Sequence, residues 1–310
     1  MRRGRRVAGG GSAEWLVRGA GIGYGAVVNT DLRDKVVLVT GASGGIGAAT
    51  ARAFADEGAR VVLHAHSGKD RVVRLAADLV SAETMVVTGD LRREAAVKRV
   101  FGAAVKRFGR VDVLVANAGA WETRDVPLKE MTLRQWRATQ EGVLTTAFLS
   151  VREFLGCVGR QGRGNVVLIG STAAVFGEAG HGDYAAAKAG MAYGLTRTLK
   201  NEIARLAPRT RDYCGGRANC VCPGWTVVPR NEGKLGDAAM VRRVTATMAL
   251  PKLGRPVDVA HSVVFLASDH LAGHVTGQVV TVAGGMEGRW LWRPDEVDPE
   301  LALPAAPGPR

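Results

Sequence analysis

Short runs of β-branched and apolar residues recur along the chain, and stretches with helical periodicity separate them. Val36-Val37-Leu38-Val39-Thr40 is the first run, and glycines end it. Gly45 to Asp56 then reads as an Ala-rich helix. Val61-Val62-Leu63 predicts a strand and Arg71–Val80 a helix; Met85-Val86-Val87 a strand and Arg93–Phe108 a helix. Val111–Ala116 follows as a strand, then a long helix over Leu133–Phe154 with Thr132 and Gln135 in capping-box positions. Val166–Ile169 predicts a strand, and Tyr184–Leu206 a helix with Asp183 as its N-cap. Ala218–Cys222 predicts a strand, Pro256–Leu266 a helix with proline first, and Val279–Val282 the last strand.

Strands alternating with helices imply a parallel sheet with helices on both faces. Right-handed crossovers then make a doubly wound, Rossmann-type α/β fold. One such domain is expected over residues 35–290. The flanks differ from it. Residues 1–34 carry Arg2, Arg3, Arg5 and Arg6 and then three glycines, with little apolar periodicity. No apolar signal core or small-residue cleavage site follows, so the expectation is a basic, disordered extension rather than an export or transit signal. Residues 291–310 hold five of the eleven prolines and read as a Pro-rich tail. Trp290 and Trp292 are expected to pack on the body or on a neighbouring subunit.

Composition narrows the class. At 310 residues, 46% hydrophobic and 23% charged, the chain has the balance of a soluble globular protein. No run of 18 apolar residues occurs, so neither a membrane span nor a membrane partner is expected. Four cysteines do not make a disulfide scaffold, and the expected location is cytoplasmic. The net charge is +13, and five arginines against one acid place +4 of it in residues 1–30. Such a surface favours anionic partners, including phosphorylated cofactors or carriers. No clustered basic face or motif points to nucleic acid.

Thr40-Gly41-Ala42-Ser43-Gly44-Gly45-Ile46-Gly47 lies between the first strand and the first helix. Glycines there let the backbone approach a pyrophosphate, and a helix N-terminus offers free N–H groups and partial positive charge. Gly41, Ser43, Gly45, Ile46 and Gly47 are therefore candidate cofactor contacts. An acid at the end of the second strand would bind a ribose 2′-hydroxyl and repel a 2′-phosphate. Ala65 occupies that position, and His66, Ser67 and Lys69 follow as donors to a phosphate. NADP(H) is therefore favoured over NAD(H), with His66 a cofactor contact. Gly44 counts the other way, because it offers no basic side chain to a 2′-phosphate.

The spacing T-G-x-x-x-G-x-G resembles that of the short-chain dehydrogenases/reductases, and the likeness covers about residues 35–290. Further motifs fall in order: Asp90-Leu91, Asn117-Ala118-Gly119, Ser171, Tyr184-x-x-x-Lys188, Asn219 with Pro223-Gly224, Arg255-Pro256 with Val259-Ala260, and Thr276-Gly277-Gln278. The resemblance implies that Asp90 and Leu91 lie at the adenine. It implies that Asn117, Ala118 and Gly119 steady the central sheet beside the cofactor, and that Pro223 and Gly224 lie by the nicotinamide. It makes Ser171, Tyr184 and Lys188 catalytic, with Tyr184 and Lys188 also touching the cofactor. Four residues apart on one helix, Tyr184 and Lys188 share a face. A nearby ammonium lowers the phenol pKa from its usual ~10. Ser171 would stabilise charge on a substrate carbonyl.

Two positions depart from the pattern. The fourth catalytic residue of the family, usually Asn, falls on Val143, with Gln140, Thr145 and Thr146 as polar substitutes nearby. Val228 stands where relatives often place a threonine. No metal is expected. Cys220 and Cys222 read as buried thiols, and the i, i+4 pair His270 and His274 is interrupted by Gly273.

The resemblance implies an oxidoreductase moving hydride between NADP(H) and a carbonyl or secondary alcohol, similar to 3-oxoacyl-(acyl-carrier-protein) reductase-like members. The substrate is small or carrier-bound. The alternatives are a sugar or cyclic-alcohol dehydrogenase, or a cofactor-binding regulatory protein with little turnover. A homo-oligomer, dimer or tetramer, is expected, with the long helices pairing between subunits.

Overall fold

The computed structural model describes residues 28–229 and 237–288. Seven parallel strands form one sheet in the order β3-β2-β1-β4-β5-β6-β7. They are β1 Val36–Val39, β2 Arg60–Ala65, β3 Thr84–Thr88, β4 Val113–Ala116, β5 Asn165–Ile169, β6 Arg217–Pro223 and β7 Val279–Val282. The central strands are buried on both faces, which is why they read as unbroken apolar runs rather than as alternating ones. Val36 and Leu38 enter one apolar layer, while Val37 and Val39 enter the other.

Helices α1 Gly45–Asp56 and α2 Lys69–Asp78 pack on the second layer, with α10 Pro256–Ala267 beside α1. On the first layer lie α3 Glu94–Phe108 and two long composite helices. One runs α4 Leu133–Thr139, a π-helical turn Gln140–Thr145, then α5 Thr146–Gln161. The other begins after the short α6 Thr172–Phe176. It runs α7 Gly182–Ala189, a π turn Gly190–Leu195, then α8 Thr196–Leu206. Two small helices, α9 Ala238–Thr245 and α11 Asp269–Ala272, and a 3-10 turn at Leu128–Glu130 complete the set among the described residues.

Both π turns have the same local support. Thr146 Oγ1 donates to the Glu141 carbonyl at 3.0 Å, and Thr196 Oγ1 donates to the Met191 carbonyl at 2.8 Å. Each hydroxyl thus takes a carbonyl five residues back, an acceptor that ordinary α geometry does not present there. The first composite helix, Leu133–Gln161, is long and apolar enough to cross a membrane by length and composition. It is a core helix: Ala147, Leu149, Val151, Phe154 and Val158 are buried against the sheet.

Several expectations need correction. The folded region starts before Lys35. Leu32 is 1% exposed and joins the second apolar layer, Thr30 Oγ1 donates to Glu57 at 2.6 Å, and Lys35 pairs with Asp31. A single leucine among polar residues carries no periodicity, so the sequence pattern hid it. Residues 1–27, and the tail with Trp290 and Trp292, lie outside the described residues. Asp183 is not an N-cap: the helix begins at Gly182, and His181 stands at the N-cap position without a side-chain capping bond. Thr132 does cap α4, accepting from Gln135 N at 3.1 Å, but the Gln135 side chain turns to Asp183 instead of closing the box. His270 sits in helix α11 rather than in a loop.

Candidate active site

Strand order reverses at β1, which has β2 on one side and β4 on the other. The crevice beyond the C-terminal ends of these strands is where open α/β sheets bind ligands. The glycine turn occupies it. Gly41 has φ +68°, and a Cβ there would stand 2.9 Å from Ala118 Cα. A Cβ on Gly47 would collide with the Gly41 carbonyl, and one on Gly45 would stand 2.8 Å from Val228 Cγ1. Only glycine fits these three positions. The result is a bare backbone cradle at the N-terminus of α1, whose N-cap Gly44 supplies no side-chain acceptor and whose first turn holds no acid. Those N–H groups suit an anion. The cradle therefore fits a dinucleotide pyrophosphate.

The motif at the end of β4 holds that turn. Asn117 Nδ2 donates to the Thr40 carbonyl at 2.9 Å and to the Gly41 carbonyl at 3.2 Å. Thr40 Oγ1 accepts from Asn117 N and Ala118 N, at 2.9 and 3.0 Å, and donates to the Val115 carbonyl. Gly119 follows, 3.7 Å from Val143 Cγ2 if it carried a Cβ. Pro223 ends β6, and a Cβ on Gly224 would meet Ala283 at 2.8 Å.

A residue missed in the sequence completes the support. His64, in β2, is 1% exposed. Its Nδ1 accepts from Gly41 N at 3.3 Å and its Nε2 lies 3.0 Å from the Gly89 carbonyl. Burial pulls its pKa from 6.5 to about 4, against the Gly89 bond, which raises it. His64 is thus a neutral imidazole bracing the glycine turn.

His66 itself is exposed, as are Ser67 and Lys69. Ser43 Oγ donates to the Ser67 carbonyl at 3.1 Å and ties this loop to the glycine turn. Arg71, not singled out from the sequence, lies across Gly68: a Cβ there would be 2.6 Å from an Arg71 guanidinium nitrogen. Asp90 is chelated by Arg92, with 2.9 Å from Nε and 2.9 Å from Nη2, and Arg92 holds its carboxyl down at about 2. Leu91 is buried beside it.

Ser171, Tyr184 and Lys188 converge at the same end of the sheet. Ser171 follows β5 and caps α6; its Oγ accepts from Ala173 N at 3.1 Å, which leaves the hydroxyl proton available for donation. Tyr184 and Lys188 project from α7, and the Lys188 Nζ lies 5.8 Å from the centre of the Tyr184 ring. Lys188 is 4% exposed, and its Nζ donates to the Ile169 carbonyl at 2.6 Å. Burial lowers its pKa from 10.5 to about 8, opposed by the Cys220 and Cys222 thiols. Those thiols are buried 3.9 Å apart. Trp121 stacks on Tyr184 with ring centres 4.4 Å apart and planes at 26°, an aromatic contact the sequence did not announce.

Val143 is fully buried in the π turn. Of its proposed polar substitutes, Gln140 Nε2 is committed to the Asp183 carbonyl at 2.9 Å, and Thr146 to the Glu141 carbonyl. Gly142 is required at the bend, because a Cβ would collide with the Ala120 carbonyl.

A doubly wound sheet, a glycine cradle and a Ser–Tyr–Lys cluster at one crevice define a dinucleotide-dependent oxidoreductase. The chain belongs to the short-chain dehydrogenase/reductase family. The family profile described as enoyl-(acyl-carrier-protein) reductase matches residues 41–287. A 3-oxoacyl-[acyl-carrier-protein] reductase of Synechocystis is 33% identical over 83% of this chain and 98% of its own. A cis-4-hydroxycyclohexanecarboxylate dehydrogenase of Sinomonas cyclohexanicum is 37% identical over 81% and 96%. The crystal structure of gox2181 superposes with a TM-score of 0.75 at 28% identity, covering 83% of this chain and 98% of that one.

Proposed function

We propose that the protein is an NADP(H)-dependent carbonyl reductase acting on 3-oxoacyl thioesters. One observation carries this reading: the buried Lys188 ammonium beneath Tyr184, beside a Ser171 hydroxyl with its proton to give. The nicotinamide, when bound, supplies the hydride to the carbonyl carbon. Tyr184 gives the proton to the carbonyl oxygen, Ser171 holds that oxygen, and Lys188 favours the phenolate that remains. One ammonium N–H of Lys188 serves Ile169, and the others would hold the nicotinamide ribose. The relatives named as 3-oxoacyl-[acyl-carrier-protein] reductases and the +13 charge support a carrier-bound, acidic substrate. A panel of carbonyl substrates, followed by cofactor oxidation, tests the proposal; turnover of none would leave a cofactor-binding regulatory protein.

A cyclic-alcohol dehydrogenase is the second reading. Trp121 favours it, since a flat indole beside the reacting phenol is a good wall for an alicyclic ring, and the Sinomonas relative acts in that class by name. Adding cyclohexanone-type ketones to the panel separates the two.

The preference for the 2′-phosphate rests on charge. No acid stands at Ala65, and His66, Lys69 and Arg71 line the loop after β2. NADPH should bind at least about tenfold tighter than NADH, and Arg71→Ala should remove most of that ratio while leaving NADH affinity unchanged. Equal affinities in the native protein would refute it; titration calorimetry reads both.

Val143 should slow proton delivery to Tyr184. Val143→Asn is expected to raise kcat several-fold, with a smaller solvent isotope effect and unchanged cofactor affinity. Its amide enters a fully buried site and costs about 1–3 kcal/mol if unsatisfied, so melting temperature is measured alongside. Unchanged kcat in the folded variant would mean that another group supplies the relay.

The protein assembles as a homo-oligomer in this reading. Phe148 and Tyr193 expose 44% and 38% of their surface on α5 and the second π turn, next to the small residues Gly190 and Gly194. Light scattering at micromolar concentration should give a dimer or tetramer, and a monomeric mass would contradict it. Four free thiols accord with a reducing, cytoplasmic location.

A further inference from the structure

Asp183 stands one residue before Tyr184 in the first turn of α7 and is 1% exposed. Its Oδ1 accepts from the Tyr184 N–H at 2.8 Å. Its Oδ2 accepts from Thr139 Oγ1 at 2.6 Å and from Gln135 Nε2 at 3.3 Å. Its main-chain carbonyl accepts from Gln140 Nε2 at 2.9 Å. Three of these four donors come from α4 and the start of its π turn, and Thr139 is itself 2% exposed.

All four donors are neutral. A buried carboxylate held by neutral donors carries a desolvation cost that an apolar side chain of the same volume does not. Stability is therefore a poor explanation for it. What the arrangement achieves is location. Two acceptor atoms of one residue, Oδ2 and the main-chain carbonyl, are pinned by three donors of the neighbouring composite helix, while Oδ1 holds the Tyr184 N–H, so the backbone entering Tyr184 cannot slide along or rotate about the α7 axis without breaking several bonds together. A helix start fixed only by apolar contacts would tolerate shifts of the size that misplace a proton donor.

We propose that Asp183 is the positioning residue for Tyr184: through Thr139, Gln135 and Gln140 it clamps the start of α7 to α4 and so sets the phenol against Ser171. The inference rests on Tyr184 as the proton donor of the proposed reaction.

The test uses the full chain, NADPH and the panel carbonyl that is turned over fastest. Thr139→Val removes the shortest bond while keeping the side chain's shape, Thr139→Ser restores the hydroxyl, and Asp183→Asn removes the charge. In Thr139→Val and Asp183→Asn, kcat should fall about tenfold, while KM and the NADPH Kd from tryptophan-fluorescence quenching stay within about twofold. Thr139→Ser should regain most of the lost kcat. In Asp183→Ala the loss should reach the order of 10²-fold; where that variant fails to fold, the two Thr139 variants decide. A merely structural role would lower melting temperature and leave kcat per folded site unchanged.

Folded Thr139→Val and Asp183→Asn enzymes with native kcat would overturn the proposal. Tyr184→Phe is run in parallel. If it is inactive while those two variants are native-like, only the positioning role falls. If it is fully active, the role of Tyr184 falls and the positioning role with it.

Discussion

Tyr184→Phe should lower kcat by at least ~10²-fold while NADPH affinity stays within about twofold. The substitution removes one oxygen and keeps the ring. Stacking on Trp121 at 4.4 Å and the Lys188 ammonium 5.8 Å from the ring centre both survive it, so the loss reports chemistry and not folding. Lys188→Ala should behave differently. In the proposed reaction it removes the charge that favours the phenolate and also a donor for the ribose, so cofactor affinity should fall together with kcat. The Lys188 pKa of about 8 adds a pH signature. Below that value the ammonium is present; above it the lysine is neutral and its help to Tyr184 disappears. Cofactor affinity should therefore decline as pH rises through about 8, and Lys188→Ala should abolish that dependence. Stopped-flow binding and steady-state rates across pH 6–10 separate the two residues. A fully active Tyr184→Phe enzyme would remove the phenol from the mechanism.

The strands were readable because each is buried on both faces and so appears as a β-branched run bounded by glycine or a polar turn. The glycine turn was readable because much of its requirement is local: a positive φ at Gly41 and the close approach of Gly47 to the Gly41 carbonyl. The Ser, Tyr and Lys residues lie where the fold gathers them, just after β5 and on α7.

What escaped the sequence was decided by tertiary partners. The π turns depend on the fit of Gly142 against Ala120 and of Gly190 against Leu144, and no helical periodicity records such contacts. Asp183 has the residue type and place of an N-cap, yet donors 44 and 48 residues away claim its carboxylate. In the run Val-Val-Leu-His-Ala-His the strand's last residue is not marked, and residue type alone does not tell the exposed His66 from the buried, bracing His64. Arg71 gave no signal because a single arginine early in an amphipathic helix is ordinarily solvated surface; its value lies in crossing Gly68.

His64 makes stability and cofactor affinity fall together on acidification. In the folded protein its pKa is about 4, held down chiefly by burial; in the unfolded chain it returns to about 6.5. The unfolded state therefore binds more protons between these values, and stability is lost as pH falls. The contribution is complete above pH 6.5 and gone below about pH 4, and it amounts to about 3 kcal/mol. The atoms explain why. Nδ1 accepts the Gly41 N–H at 3.3 Å, and Nε2 donates to the Gly89 carbonyl. Protonation puts a hydrogen on Nδ1, so two donors face each other at the first residue of the glycine turn. The turn must then open or the imidazole must leave, and either movement spoils the cradle. Urea unfolding at pH 7.0 and pH 5.0 should show the loss, and NADPH affinity should weaken over the same window. A His64→Gln variant, which keeps an amide able to accept and donate but does not titrate, should flatten both dependences. Equal acid sensitivity in a folded His64→Gln protein would assign the effect to other groups.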